Sequence, residues 1–229
     1  PRFFHPVAGP EALTDGLRRA HSWRDEEVHE NSASELCSPQ RKHMRIGKTK
    51  KLFTVDDLYR MDKAGIFRNE RVELISGEII LMSDGSEHAA RVERARDLFN
   101  HYFAGRAALR SQNPICIDDY NFPRPDVCVA KHRQDYYKSQ HPRVEDVFFL
   151  LEVSDSSDDY EYDREVMLAL YAIAGIREYW IEDISNETLL VFRDPDGDKY
   201  TTCLTLHRSD TVSPLAFPDI HIKVEDLLG

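Results

Sequence analysis

DVFFLLEV, residues 146–153, sets five apolar residues in succession, Val147 to Leu151, in front of a single carboxylate, Glu152. The run is too short for a helix and rich in β-branched and aromatic residues, so it reads as a central strand buried on both faces, the kind of strand an α/β sheet encloses. Downstream, residues 159–174 carry apolar positions at helical spacing and stop at Gly175. Three strand-like segments follow at 177–183, 187–193 and 199–206, the last two joined by DPDG at 194–197 as a hairpin turn. Upstream, 126–130 and 114–119 read as short strands linked by NFPRP. Glu87 to Ala104 reads as a long helix with Ala90, Arg94, Leu98 and Phe99, together with Tyr102 and Phe103, at helical spacing. RVELISGEIILMS, residues 71–83, alternates around Ser76-Gly77 as a tight hairpin, and a first helix is capped by Thr54 with Asp56 and Asp57 in its opening turn. The expected fold class is therefore α/β, a mixed sheet flanked by helices.

Residues 52–229 read as one domain. Residues 1–51 are polar, without a sustained helical or strand period, and end in a basic run from Arg41 to Lys51, so they are expected to be disordered or extraneous to the fold. Met44 is the first methionine and is the expected natural start. No stretch approaches the roughly 18 apolar residues of a membrane span, and the first residues lack the apolar centre of a signal peptide; a cytoplasmic protein without membrane contact is expected. Cys37, Cys116, Cys128 and Cys203 stand far apart, which argues against a zinc site or a disulfide framework.

The net charge is −11, with 10 Lys+Arg against 7 Asp+Glu in residues 1–52 and 20 against 34 in residues 53–229. Lysine and arginine contacts to phosphate supply most non-specific affinity for nucleic acid, so a domain near −14 needs a local basic patch or metal ions to bind DNA. The chain has no P-loop, GxSxG, HExxH or GxGxxG motif, which removes the common nucleotide-hydrolase, α/β-hydrolase, zincin and dinucleotide readings.

Two carboxylates stand out. Asp126 follows Pro125 at the head of the apolar strand DVCVA, and Glu152 ends the buried run, where open α/β sheets place ligands. On neighbouring strands they would bring together two hard oxygen ligands of the type a magnesium ion bound to a phosphate requires. Alone, Glu152 is equally a solvated strand-end residue. Glu73 is equally an outward-facing hairpin residue, and His88 reads first as an exposed helix-start histidine whose pKa the helix N-terminus would lower.

RVELISGEII, RPDVCVA, FFLLEVSDSS and YDREVMLALYAIAGIREYWI, spread between Arg71 and Ile181, resemble successive signature blocks of the Uma-type endonuclease family within the PD-(D/E)xK superfamily. The resemblance implies a restriction-endonuclease-like core and a cytoplasmic enzyme that hydrolyses DNA phosphodiesters with magnesium, or manganese in its place. It implies metal ligands at Asp126 and Glu152, an acidic neighbour at Glu73, and a phosphate-contact or proton-transfer role at His88. Ser154, Asp155, Ser156 and Ser157 match the loop after the acidic strand, and the expected partners are DNA and a second copy of the chain.

One position departs from the pattern. The family commonly carries lysine in the helix after the acidic strand, and this chain has Met167 there. In this chemistry the lysine orients the attacking hydroxide and offsets charge on the phosphate, a role that methionine cannot fill. Arg164, three residues earlier, reads as a surface residue more than as a substitute, and Met167 reads as core filler beside Leu170, Tyr171 and Ala174. Two functions follow as expectations: a metal-dependent endonuclease weakened at position 167, or a catalytically inactive nuclease-like module that binds a protein or nucleic-acid partner.

Overall fold

In the computed structural model, the buried run forms an interior strand of a six-stranded sheet. The structure describes residues 50–68, 70–82 and 85–229. The expectations for residues 1–49, including the start at Met44, and for Ser83 lie outside the described residues. Helix α1 spans Val55–Lys63, the hairpin strands β1 and β2 span Arg71–Ile75 and Glu78–Met82, and helix α2 spans Ser86–Phe103. Strands β3 (Ala108–Ser111), β4 (Val127–Ala130) and β5 (Val147–Ser154) precede helix α3 (Ser157–Tyr162). A π-helical turn, Asp163–Met167, leads directly into α4, Leu168–Ala174. Strands β6 (Glu178–Asp183), β7 (Thr188–Asp196) and β8 (Lys199–Leu206) follow, then β9 (Thr211–Val212), β10 (Ile222–Lys223) and α5 (Val224–Leu228).

The sheet order is β3-β4-β5-β6-β7-β8, and every neighbouring pair is antiparallel except β5 and β6. A parallel pair needs a crossover of a dozen or more residues, and the α3–α4 segment supplies it. Hydrophobic side chains fill both faces. Phe149, Leu151, Val153 and Trp180 pack with α2 and α5 on one face, while Cys128, Leu150, Tyr179 and Ile181 pack with Met167 and Tyr171 on the other. Thr54 caps α1 through its side chain, and Asp57 returns the bond to the Thr54 N–H, completing a capping box.

Several expectations are corrected by the structure. Residues 114–119 do not form a strand: Cys116 and Asp118 make only isolated bridges, to Arg143 and Asn121. The place beside β4 is taken by β3, and Pro114, Pro123 and Pro125 around this stretch have no N–H to donate to a ladder. The β7–β8 turn lies at Gly197-Asp198, because Asp194 to Asp196 extend β7 and Asp196 pairs with Lys199. On α2, Phe99 and Phe103 are buried as their spacing suggests, but they are joined on the inner face by Val92 and Ala95, whereas Ala90 and Arg94 are exposed. The helix after β5 begins at Ser157 and contains a π turn that the apolar spacing did not announce.

A buried ion pair ties the C-terminal segment to the sheet. Glu178, fully buried, accepts from Arg193 Nε at 2.9 Å, from Trp180 Nε1 at 3.0 Å and from the Leu215 N–H at 2.7 Å, and Arg193 also donates to the Ser213 carbonyl at 2.6 Å. Removing one partner of such a pair strands a charge in the core, so Arg193→Ala is expected to cost about 3–5 kcal/mol in urea unfolding. A loss below about 1 kcal/mol would show that water replaces the guanidinium.

Candidate active site

Glu73, His88, Asp126 and Glu152 line one cavity of about 350 Å³. Asp126 stands one residue ahead of β4 and Glu152 lies in β5, the strand beside it, so antiparallel pairing sets the two carboxylates at the same end of the sheet. They are locked by the backbone. The Asp126 N–H donates to Glu152 Oε2 at 2.8 Å, and the Val153 N–H donates to Asp126 Oδ2 at 2.9 Å. Tyr171 on α4 donates its hydroxyl to Glu152 Oε1 at 2.9 Å, and Gln112 Nε2 reaches Asp126 Oδ1 at 3.3 Å.

Glu73 and His88 depart from the readings their residue types alone invited. Glu73 is only 5% exposed and turns inward, where Oε2 accepts the Arg124 N–H at 3.2 Å. His88 lies one helical step before Val92, Ala95, Phe99 and Phe103, on the buried face of α2, and its Nε2 sits 2.9 Å from Asp126 Oδ1. Burial pulls the His88 pKa down, but the hydrogen bond and charge of Asp126, with Asp155 and Asp159 nearby, outweigh it and leave the imidazole above its ordinary value. The lowering expected from the helix terminus is therefore overturned: local carboxylates dominate the half-charge of the helix end.

The site also contains groups that sequence reasoning passed over. Asp163, the first residue of the π turn, is buried against Ser154 Oγ, which donates to it at 2.7 Å, and burial pushes its carboxyl up to about 8. Tyr162 and Arg124 complete the wall, and Asp155, Asp158 and Asp159 stand on the rim. The pair Tyr162-Asp163 falls within the block YDREVM, and Asp163, four residues before Met167, shares its helix face and lines the same cavity. Glu73 and Glu152 are likewise raised, first by burial and then by the charge of Asp126, although bonds from the Arg124 N–H to Glu73 partly offset its shift.

Met167 lines the cavity and is 2% exposed. Arg164 does not: its Nη1 donates to Tyr160 at 2.8 Å on the exposed side of the helix. Among the described residues, the basic side chains at the cavity are His88 and Arg124, and Arg124 is engaged with the Val72 carbonyl at 2.8 Å. Among the described residues, buried Glu73, Asp126 and Glu152 and partly buried Asp163 thus face His88 and Arg124.

Among the described residues, no three His, Cys, Asp or Glu side chains gather as a ready ligand set for a metal ion. That does not conflict with magnesium, which keeps several waters and is held by one or two carboxylates together with substrate phosphate. Asp126 Oδ2 and the two Glu152 oxygens each carry one hydrogen bond and retain a second lone pair, whereas Asp126 Oδ1 already meets both His88 and Gln112. The excess of buried acid over cation is the electrostatic condition that a divalent ion would relieve, so the residues present fit such an ion.

A sequence model of the family described as "Uma2: Putative restriction endonuclease" matches residues 55–225. The crystal structure of a putative nuclease belonging to DUF820 from Anabaena variabilis ATCC 29413 superposes with a TM-score of 0.57, at 17% sequence identity, covering 77% of this chain and 97% of that one. At that identity the likeness speaks for the fold. No curated protein matches the chain. Among the described residues, no helix is long and apolar enough to cross a membrane.

Proposed function

This chain belongs to the Uma2 family of putative restriction endonucleases, and from that premise we propose that its acidic cavity is the active site of a divalent-metal-dependent nuclease that hydrolyses DNA phosphodiesters. The observation that carries the reading is the gathering of buried Glu73, Asp126 and Glu152 with partly buried Asp163 on one open cavity, an acidic group with few basic side chains beside it. Such a grouping is costly for a fold to maintain and points to a site kept for chemistry.

Asp126 and Glu152 would hold magnesium, or manganese in its place, through their free lone pairs. When bound, the ion supplies Lewis acidity to the scissile phosphate and lowers the pKa of a water. The chain does the rest. The Val153 and Asp126 N–H groups fix the two carboxylates so that neither must reorganise when phosphate arrives. His88 Nε2, held by Asp126, is placed to move a proton at the edge of the cavity, and Arg124 offers a guanidinium to a phosphate oxygen.

Met167 favours a second reading, a nuclease-like module that binds without cutting, because an apolar thioether fills the place of a cation in the cavity wall. Nicking of supercoiled plasmid decides between them. The nuclease reading expects nicking that requires magnesium or manganese, stops with chelator and is lost in Asp126→Asn, a change that keeps an acceptor for the Val153 N–H. Nicking that is absent with either ion, or equal in the variant, would leave only the binding module.

A further inference from the structure

Arg110 lies in β3, the edge strand of the sheet, two residues before Gln112, which is bonded both to Asp126 and to Arg71. Its guanidinium packs over the Tyr137 ring at 5.4 Å, and its Nε is buried without a hydrogen-bond partner. His141 stands nearby, edge-on to Phe122 at 5.2 Å, and its Nδ1 is also buried and unpartnered. Burial first, then the charges of Arg110 and Arg124, hold His141 below its ordinary pKa, so the local field is positive. An anion placed here would be drawn by the Arg110 and Arg124 charges and find the Arg110 Nε–H waiting.

The loop that carries Tyr137 continues the same field. Residues 131–143, KHRQDYYKSQHPR, hold four Lys+Arg and two histidines against one aspartate, in a domain whose balance is strongly acidic. Lys131 and Lys138 are exposed. Tyr136 and Tyr137 both adopt left-handed backbone, with φ of 50° and 60°, a conformation costly for side-chain-bearing residues. The two rings part company: Tyr137 is buried and anchored by its hydroxyl to the Lys131 carbonyl at 2.7 Å, while Tyr136 is 75% exposed. A strained loop that holds one ring as a root and presents the other to solvent amid lysines matches how single-stranded nucleic acid is bound, by cations along the backbone and rings under the bases.

We propose that the β3 edge at Arg110 and the loop 131–143 form a nucleic-acid-binding surface, in which Arg110, Lys131 and Lys138 take backbone phosphates and Tyr136 stacks on an unpaired base. The strand enters the cavity past Arg124. The surface deepens the nuclease reading and rests on it only for where the strand leads, since binding here is independent of cleavage.

The test is binding of fluorescent mixed-sequence oligonucleotides, single-stranded and duplex, to the full chain across a salt series. Lys131→Glu with Lys138→Glu replaces two exposed side chains, and circular dichroism confirms the fold. This variant is expected to bind at least 10-fold more weakly at low salt, and the slope of log affinity against log salt should fall by about 1.4 to 1.8. Tyr136→Ala is expected to weaken single-strand binding about 5- to 100-fold and leave duplex binding nearly unchanged. Affinities equal to wild type in both variants, or no binding by wild type itself, would overturn the surface. Displacement of the oligonucleotide by polyglutamate at equal charge would overturn its assignment to nucleic acid. Loss of binding in the loop variants, with wild type never nicking plasmid, would sustain the surface and end the nuclease reading instead.

Discussion

Met167→Lys is expected to raise metal-dependent nicking by about 10²- to 10³-fold, the reverse of removing one transition-state contact. Position 167 closes the π turn and lines the cavity with Glu152, Asp126 and Asp163. A lysine stem matches methionine in length and apolar character, and its ammonium would meet an excess of carboxylate. The ammonium would favour the charged form of the Asp163 and Glu152 carboxyls and offset the burial that raises them, so the substituted chain should also be more stable at neutral pH. The assay compares wild type, Met167→Lys and Met167→Lys combined with Asp126→Asn. A folded lysine variant that nicks no faster than wild type would show that the missing cation is not the defect, and the binding-module reading would then be preferred.

The metal-free protein is expected to lose thermal stability as pH rises from 5 to 8. Asp163 has a folded pKa of about 8 against an ordinary 3.8, so its contribution is complete below about 3.8 and is lost as pH climbs through the folded value. Glu73 and Glu152 are raised and act in the same direction. His88, also raised, is most stabilising while protonated and loses that contribution as pH passes its folded pKa. Each pKa unit corresponds to about 1.4 kcal/mol, and relaxation of the buried site reduces the full sum, so a fall of about 10 °C in Tm is expected. Asp163→Asn should flatten the profile and raise Tm at pH 8, because the buried charge is gone while the acceptor for Ser154 remains. A wild-type Tm that rises across this window would contradict the buried-acid description.

How far the sequence reached depended on the kind of signal. VFFLL declared an interior strand because a strand covered on both faces is apolar at every position, and β5 is such a strand. Thr54, the Ser76-Gly77 turn and Gly175 marked element ends through local backbone chemistry, which tertiary packing did not override. β3 escaped notice because ALRS has only four residues, none of them a strong strand former, and its pairing with β4 is a tertiary fact. The π turn escaped because one extra residue in a helical turn shifts the face without changing composition.

Within the site, Asp126 and Glu152 were legible as carboxylates at strand ends, since adjacent strands bring such ends together. His88 could have been read as inward-facing from its spacing to Val92, Ala95, Phe99 and Phe103, but in the first turns of the helix Ala90 and Arg94 were taken instead of Val92 and Ala95. Asp163 could have been placed from its four-residue spacing to Met167 on the same helix, whereas Arg124 took its position from the irregular path through Pro123 and Pro125. Arg110 and the loop 131–143 carried a basic composition that was visible, but their union across β3 and the left-handed tyrosines belongs to the three-dimensional structure.

Calorimetric titration of magnesium and of manganese into the purified protein tests the central claim most directly. The account predicts saturable binding by wild type, greatly weakened in Asp126→Asn and in Glu152→Gln, with both variants folded. Absence of saturable heat for either ion in wild type, or binding unchanged in both variants, would contradict it.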